Sequence, residues 1–267
     1  MTLGAKEHFE AGRLQEAIEA MNAEVKSHPT DANRRGFLAE LLCFAGRFER
    51  ADLQLDVLTD QDPKAAIGIA LFRQLVRAEL ARRQFYSEGR LPEFLGQPSP
   101  LLQLHLQASI RLRENDAGDA AKLLAQAEDQ RPAVGGICDG RAFEDMRDLD
   151  DLTAPFFEVL TSTGKYYWIP MDRVVSLEFR PPERPRDLIW RRAQMTVAEG
   201  PDGEVFLPAI YAGTDDQEDR ALLGRVTDWA GGEGAPVRGI GQRGFLIGNE
   251  SKTIMEISTI EFGEAAA

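Results

Sequence analysis

Residues 5–17 read AKEHFEAGRLQEA and residues 39–51 read AELLCFAGRFERA, and these two stretches decide the fold of the first half. Each begins and ends with alanine and has Gly-Arg followed by Leu or Phe near its centre, and the second lies 34 residues after the first. This period is typical of units built from two antiparallel helices. The small residues allow the helices to approach closely, and the glycine ends the first helix.

Three positions of the unit recur in register: an alanine, a second alanine 12 residues later, and a closing proline. The sets are Ala5, Ala17 and Pro29, then Ala39, Ala51 and Pro63, and then Ala108, Ala120 and Pro132. The proline stops the second helix because it cannot continue the backbone hydrogen-bond ladder. The sequence therefore predicts stacked helical hairpins with an alanine of each helix at the contact.

The unit between residues 64 and 98 keeps its closing proline but has Arg73 and Phe85 at the alanine positions. Helix-compatible sequence runs without a break from residue 64 to about residue 87, so we predict one long helix there. Residues 91–100 contain several prolines and a glycine, which prevent a regular helix and predict an irregular turn.

Over residues 1–132 the pattern resembles the tetratricopeptide repeat, although most of the aromatic residues usual in that repeat are absent. An unrelated helical bundle is the alternative. Repeat stacks of this kind bind peptides or helices on a concave wall. On this register the partner-binding candidates are Lys6, Phe9, Glu40, Cys43, His105, Ser109 and Leu112. In the alternative arrangement, the long middle helix or the second half of the chain fills this groove.

After residue 134 the apolar runs become short and turn signals increase, which predicts strands joined by tight turns. The expected hairpins pair 156–160 with 166–169, 194–198 with 205–211, and 245–247 with 253–257, and 173–179 is a further strand. Only residues 216–226 have a helical pattern. We expect an α+β protein, with a helical-repeat domain over 1–134 and a smaller β-rich domain, barrel-like or a bent sheet, over 135–267.

Residues 239–244 read GIGQRG, which has the glycine spacing of the dinucleotide-binding fingerprint. That fingerprint binds a pyrophosphate only between a strand and the N-terminus of a helix. Here the strand-like run Phe245-Leu246-Ile247 follows, so we interpret these glycines as a structural turn.

A run of acidic residues follows the helical half and contains Asp139, Glu144, Asp145, Asp148, Asp150 and Asp151. Carboxylates bind Mg²⁺ or Ca²⁺, but this spacing lacks the central glycine and closing glutamate of a calcium loop. We expect a polar loop paired with arginines such as Arg141 and Arg147. An acidic patch that faces a partner, and a metal site, are the alternatives.

The remaining sequence has no catalytic or cofactor signature. The three histidines, at 8, 28 and 105, lie in the repeat half. Cys43 and Cys138 are 95 positions apart without paired spacing, which argues against both a disulfide framework and a thiolate metal site. We therefore expect no enzymatic activity, no cofactor and no metal.

Charge and hydropathy exclude two classes of partner. The formal net charge is −13, most of it after residue 134, and such a surface repels nucleic acid. A basic or neutral protein partner fits better, unless the charge serves only solubility. Glu7 and Glu10 lie where a signal peptide would be apolar, and no apolar run approaches the ~20 residues of a membrane span. We expect a cytoplasmic protein without membrane insertion.

The second half resembles the C-terminal region of the ImpE proteins. The motifs that carry the likeness are Asp139-Gly140-Arg141-Ala142-Phe143, Tyr167-Trp168-Ile169-Pro170, Arg186-Asp187-Leu188-Ile189-Trp190, Leu223-Gly224-Arg225 and Thr227-Asp228-Trp229. Their order and spacing extend over most of residues 139–262, and a helical repeat precedes them as in that family. We interpret Trp168, Trp190 and Trp229 as core anchors.

The ImpE family, also called TagJ or SciE-type, belongs to bacterial type VI secretion clusters. The resemblance implies a non-catalytic accessory protein that binds the N-terminal helix of the small sheath subunit and is linked to the ClpV-type ATPase that recycles contracted sheath. A helix laid in a groove is a mode of recognition that suits a helical repeat. The alternatives are a metal-assisted hydrolase that uses the carboxylates of residues 139–151, and a purely structural subunit that only oligomerises.

Overall fold

The computed structural model describes residues 3–61, 63–215 and 217–263, and the first half of these residues forms helical hairpins. The helices are α1 (Ala5–Glu10), α2 (Leu14–Ser27), α3 (Ala32–Phe44), α4 (Phe48–Gln61), α5 (Ala66–Glu88), α6 (Pro100–Arg113) and α7 (Ala117–Gln130). Helix α1 packs on α2, α3 on α4, and α6 on α7, so the predicted hairpins are confirmed.

The alanines of the repeat lie at the helix contacts, as predicted. Ala5, Ala17, Ala39, Ala51, Ala108 and Ala120 are all buried, with no more than 1% of any of them exposed. Gly12 and Gly46 adopt positive φ values of 77° and 66° directly after the first helix of their units. A side chain with a Cβ would be strained there, which is why glycine ends these helices.

The middle unit forms the single long helix expected from its sequence. A 3₁₀ turn over Pro63–Ala65 leads into α5, which ends at Gly89 in the left-handed conformation. The chain is then irregular until Ser99 caps α6 by accepting a hydrogen bond from the backbone N–H of Leu102 at 3.3 Å. Neither α5 nor any other helix in the described residues combines the length and the apolar character needed to cross a membrane.

The second half is built from short antiparallel strands. They are β1 (Gly136–Cys138), β2 (Arg141–Phe143), β3 (Met146–Asp148), β4 (Phe156–Leu160), β5 (Tyr166–Pro170), β6 (Val174–Phe179), β7 (Trp190–Val197), β8 (Asp202–Pro208), β9 (Thr227–Gly232), β10 (Ala235–Gly241), β11 (Gly244–Ile247), β12 (Glu250–Thr253) and β13 (Thr259–Phe262). The main sheet has the order β2-β1-β13-β6-β7-β8-β4-β5, and its two end strands do not pair with each other. The sheet is therefore open. Of the two forms expected from the sequence, a barrel and a bent sheet, it agrees with the bent sheet.

Two local predictions in this half are wrong. Residues 254–257 were expected as a strand, but β12 ends at Thr253 and the chain turns over the next residues. Ile254 and Ile257 are buried in an apolar cluster of the second half, and their apolar character resembled that of a strand. The helix expected over 216–226 is reduced to α8 (Asp219–Leu222), and its predicted first residue, Asp216, lies outside the described residues.

A single apolar cluster joins the helices to one face of the main sheet. Phe156 stacks on Trp168 with ring centroids 4.0 Å apart, and Trp168 meets Phe85 of α5 edge-on at 4.8 Å. A second cluster fills the other face of the sheet. The last helix ends at Gln130 and the first strand begins at Gly136, but the division into separate domains at residue 134 stays a prediction.

The segment around α8 reaches back to the first helical hairpin and binds both helix ends. The Asp219 carboxylate accepts a hydrogen bond at 2.7 Å from the backbone N–H of Leu14, the first residue of α2. The Arg225 guanidinium donates to the carbonyl oxygens of Phe9 and Glu10 at 2.7 and 2.9 Å, at the end of α1. An acid at a helix N-terminus and a cation at a C-terminus both complement the helix dipole.

Replacing Asp219 with alanine is expected to lower the free energy of unfolding by about 0.5–2 kcal/mol, the usual cost of losing an N-terminal cap. Urea denaturation measures this change, and amide exchange at Leu14 should become faster. Glu233→Ala, at an exposed position between β9 and β10, serves as the control and is expected to change the free energy of unfolding by less than about 0.5 kcal/mol. Equal stability of the Asp219 and Glu233 variants would show that this contact does not hold α2.

Candidate functional site

A cleft of about 510 Å³ lies between α3 and α5, above the buried side chains of α4. We call it the partner cleft. It is lined by Ala32, Asn33, Gly36, Phe37 and Glu40 of α3, Leu55 and Leu58 of α4, Ala65, Gly68, Ile69 and Phe72 at the start of α5, and Arg184 and Arg186 from the loop before β7. One end is apolar and the other is charged.

Glycines on the two walls make the apolar end wide. A Cβ added at Gly68 would meet nothing within 4 Å, and one added at Gly36 would only touch Leu58 at 3.9 Å. Below them Leu58 and Ile69 are buried and form an apolar floor. An α-helix with an apolar stripe can therefore approach the backbone of α3 and α5 closely.

The charged end centres on Glu40 and Arg186. Glu40 is only 8% exposed, and its nearest carboxylate oxygen lies 3.8 Å from Arg186. Burial raises the pKa of Glu40 to about 7, because the charges of Arg186 and Arg184 do not offset the loss of water. Arg186 also lies over the Phe72 ring at 4.7 Å, so it is held against α5 as well as α3. Arg184 is exposed at the rim.

A buried polar network fixes α5 to the sheet and thereby positions the cleft. The Glu158 carboxylate of β4 accepts hydrogen bonds from Arg82 of α5 at 2.9 and 3.0 Å, from Tyr166 at 2.5 Å, and from Arg243. Arg243 also donates to Asp148 at 2.6 Å. Burial opposes ionisation of Glu158, but the charges of Arg82 and Arg243 outweigh it and lower its pKa to about 2.

A second part of this network lies directly behind the charged end of the cleft. Trp190, the first residue of β7, donates its indole N–H to Glu79 of α5 at 3.1 Å. Glu79 is also paired with Arg82 at 2.9 Å. Because the 3₁₀ turn Pro185–Leu188 immediately precedes β7, this anchor holds Arg186 against α3.

Besides Glu40, three of the predicted partner-binding residues lie on α1 and α3. Lys6 is exposed and its ammonium group lies 3.8 Å from Glu10. Phe9 packs edge-on against Phe37, a residue of the partner cleft, with ring centroids 5.8 Å apart. Cys43 is buried below Glu40 and has its thiol pKa raised by burial. Of these three, none reaches the cleft itself, and partner contact by them stays a prediction.

The structure separates the other predicted residues, on α6, from the partner cleft. His105 is buried, and its Nδ1–H donates to the Leu152 carbonyl at 2.9 Å. Burial lowers its pKa to about 4, so the ring is neutral at pH 7. Ser109 donates to the Leu106 carbonyl at 2.7 Å, while Leu112 is half-buried. Ser109 and Leu112 line a different cleft, between α6 and the β9–β10 hairpin. Partner contact by these α6 residues also stays a prediction.

Sequence reasoning placed Glu40 in a binding groove but missed the opposite wall of the cleft. Gly68 gave a usable signal, since a glycine inside a long helix costs about 1 kcal/mol and is kept where a backbone needs close approach. Arg184 and Arg186 could not be placed there, because they lie more than 140 residues from Glu40 in the chain.

The acidic residues of 139–151 are mostly satisfied by arginines and backbone N–H groups. The ion pairs are Arg131 with Asp145, Arg243 with Asp148, Arg238 with Asp150, and Arg147 with Asp151, while Asp139 accepts from the backbone N–H groups of Ser258 and Thr259. The expected pairing of this loop with arginines is thus seen, although Arg141 binds Glu250 instead. Within the described residues, no group of three or more such side chains is placed to hold a metal ion.

Two further sequence features have clear outcomes. The glycine-rich residues 239–244 join β10 to β11, so a strand follows the fingerprint and no helix meets it. Trp168 and Trp190 are buried core anchors as predicted. The prediction for Trp229 is wrong: this residue of β9 is 41% exposed, and its ring contacts that of Tyr211 with centroids 6.0 Å apart. Every residue of β9 is exposed.

Comparison with known proteins agrees with this architecture. A tetratricopeptide repeat profile matches residues 8–73, and the profile of the ImpE protein matches residues 140–261. The type VI secretion system accessory component TagJ of Pseudomonas aeruginosa is 35% identical over 260 residues, which cover 97% of this chain and 90% of that protein. The X-ray crystal structure of protein VPA1032 from Vibrio parahaemolyticus has a TM-score of 0.92 at 27% identity and covers 98% of both chains.

The fold and the partner cleft define a helical-repeat protein of the tetratricopeptide type that continues into an open, bent sheet. The identity and coverage of the Pseudomonas relative show the family. This chain belongs to the ImpE family, whose members include the type VI secretion system accessory component TagJ. The resemblance seen in the sequence motifs is therefore confirmed.

Proposed function

We propose that this protein is a cytoplasmic, non-catalytic adaptor of a bacterial type VI secretion system. In this role it binds the N-terminal helix of the small sheath subunit and links the sheath to the ClpV-type ATPase. Family membership supports the accessory role, since the related Pseudomonas protein is named as an accessory component of that system. We assign the helix to the partner cleft.

The observation that carries this assignment is that the second half of the chain covers only parts of the inward wall. This wall is formed by the first helix of each repeat unit. Over α1 the guanidinium of Arg225 lies 5.9 Å from the Phe9 ring centre, and against α6 the Leu152 carbonyl binds His105. Between α3 and α5 the wall is open and forms the partner cleft. Ala32 and Glu40 are eight residues apart on α3, about 12 Å, which matches roughly two turns of a docked helix.

Filling the cleft from its own wall tests the assignment. Gly68→Trp places an indole in open space, so the fold is expected to be preserved while the affinity for the helix falls at least tenfold. The measurement is isothermal titration of the full-length protein with a synthetic peptide of the sheath subunit's N-terminal helix. Thermal unfolding of the variant checks that its fold is intact.

Ile67→Trp is the matched control, because Ile67 is adjacent in sequence, 89% exposed, and absent from the cleft lining. We expect its affinity to stay within about twofold of the unmodified protein, since exposed positions outside an interface contribute little. If Gly68→Trp and Ile67→Trp bind equally well, the helix docks elsewhere. If the unmodified protein does not bind the peptide, the adaptor role itself is contradicted.

A further inference from the structure

The charged end of the partner cleft contains one cation, Arg184, that acts on Glu40 only at a distance. Among residues 3–61, 63–215 and 217–263, the Arg184 side chain forms no ion pair and no hydrogen bond; its backbone N–H donates to the Asp187 carboxylate at 3.0 Å, and its carbonyl accepts from the Asp187 N–H at 2.9 Å. Its neighbour Arg186 is engaged by Glu40 and Phe72. A docked helix would therefore meet a free guanidinium at this end, beside a buried carboxylate.

We propose that the charged end of the partner cleft selects a helix with a carboxylate at the end of its apolar stripe, and that Arg184 binds this carboxylate while ionised Glu40 opposes it. This inference rests on the proposed function and adds the chemistry of the occupant. Charge complementarity supports it, because the cleft lining carries the cations Arg184 and Arg186 and one acid, Glu40. An arginine also binds a carboxylate through two parallel hydrogen bonds, which fixes the position of the helix along the cleft.

The groups around Glu40 allow its charge to change within the physiological range. Arg184, Arg186 and Asp187 face it from the loop before β7, and Cys43 lies on its own helix. From α5, Glu79 and Arg83 act on Cys43 behind it, and α4 contributes only Leu55 and Leu58 to this cleft. The Glu40 carboxyl, with a pKa of about 7, changes charge between pH 6 and pH 8.

The direction of the pH effect follows from the charges. Above pH 7 Glu40 is ionised, offsets Arg186 and repels an incoming carboxylate. Below pH 7 it is neutral, so the cleft has two uncompensated arginines for the same ligand. Since the ligand carboxylate stays ionised down to about pH 5, the affinity is expected to rise about threefold or more from pH 8 to pH 6. Glu40→Gln removes the titrating group, so its affinity should be independent of pH over this range.

The test uses the full-length protein and the synthetic sheath-subunit helix peptide, with any histidine in the peptide replaced by glutamine. Arg184→Glu is expected to weaken binding on the order of tenfold at low ionic strength and less at high salt, as for a charge at the rim of an interface. Arg77→Glu is the control, because Arg77 makes the same charge change on the exposed side of α5 outside the cleft. A set of peptides, each with one Asp or Glu changed to Lys, is then titrated against the unmodified protein and against Arg184→Glu.

The inference holds if one Lys-substituted peptide binds the unmodified protein weakly and regains affinity with Arg184→Glu, and if the pH dependence is lost in Glu40→Gln. It is overturned if Arg184→Glu and Arg77→Glu bind alike, or if the pH dependence persists in Glu40→Gln. After either of these overturning results, the proposed function would still stand if the unmodified protein binds the peptide tightly and Gly68→Trp abolishes this binding. No binding of the unmodified peptide overturns both.

Discussion

Replacing Glu158 with glutamine is expected to lower the free energy of unfolding by about 3–5 kcal/mol. Glu158 is 1% exposed and is the carboxylate shared by Arg82 and Arg243. Glutamine has the same shape but no charge, so two buried guanidinium groups would lose their common counter-ion. Urea denaturation followed by circular dichroism measures the loss.

The matched control is Glu204→Gln, since Glu204 is exposed on β8 and pairs with Arg192 only at 3.8 Å. Exposed pairs of this kind contribute about 0–1 kcal/mol, so the control should unfold close to the unmodified protein. A Glu158→Gln variant as stable as the Glu204 control would show that the network does not join α5 to the sheet.

The same carboxylate predicts how the loss depends on pH. The pKa of Glu158 is lowered in the folded protein from 4.5 to about 2. Its stabilising contribution is therefore complete above pH 4.5 and disappears as the pH falls towards 2. We expect the stability difference between the unmodified protein and Glu158→Gln to shrink between pH 5 and pH 3. A difference that is constant over this range would contradict the pairing.

Truncating Trp190 to alanine is the second substitution with a large expected effect, again about 3–5 kcal/mol. The Trp190 ring packs on Phe48 and Phe72, with centroids 6.4 and 6.0 Å away, and its N–H is a donor to the buried Glu79. The variant would leave a cavity between α4, α5 and β7 and an unsatisfied carboxylate. Thermal and urea unfolding measure the loss.

Trp229→Ala is the control for the size of the removed ring. Because Trp229 is 41% exposed, its removal should cost less than about 1 kcal/mol. The Trp190 variant should also bind the helix peptide more weakly, since Arg186 packs on Phe72 in the cleft. Equal destabilisation by the two tryptophan substitutions would contradict the different burial of their rings.

These contacts explain how the protein offers a rigid cleft on a repeat scaffold. The network of Glu158 and Glu79 holds α5, which forms one wall of the cleft. Trp190 belongs to the same network and fixes the end of the loop that carries Arg184 and Arg186. A preformed groove loses little conformational entropy when a helix docks. The C-terminal sheet therefore positions the walls of the partner cleft.

Part of the partner cleft was visible in the sequence. The repeat register placed Glu40 on the inward side of α3, because its position in a 34-residue unit depends on local helix periodicity. The same register placed His105 and Ser109 on the inward side of α6, where the structure shows both buried. The register cannot tell whether another part of the chain covers a given turn of the wall.

The sequence alone determined the helical hairpins, the long α5, the β-rich second half and the family. Each of these follows from short-range signals: alanine and proline spacing, glycine at helix ends, and motifs of three to five adjacent residues. The tertiary structure alone decided which part of the wall stays open, where the arginines at its charged end lie, and which tryptophan is exposed. These depend on contacts such as Arg82 with Glu158, 76 residues apart, whose partners leave no local pattern. Burial and ion pairing are set by whatever packs opposite a residue, and periodicity carries no information about that.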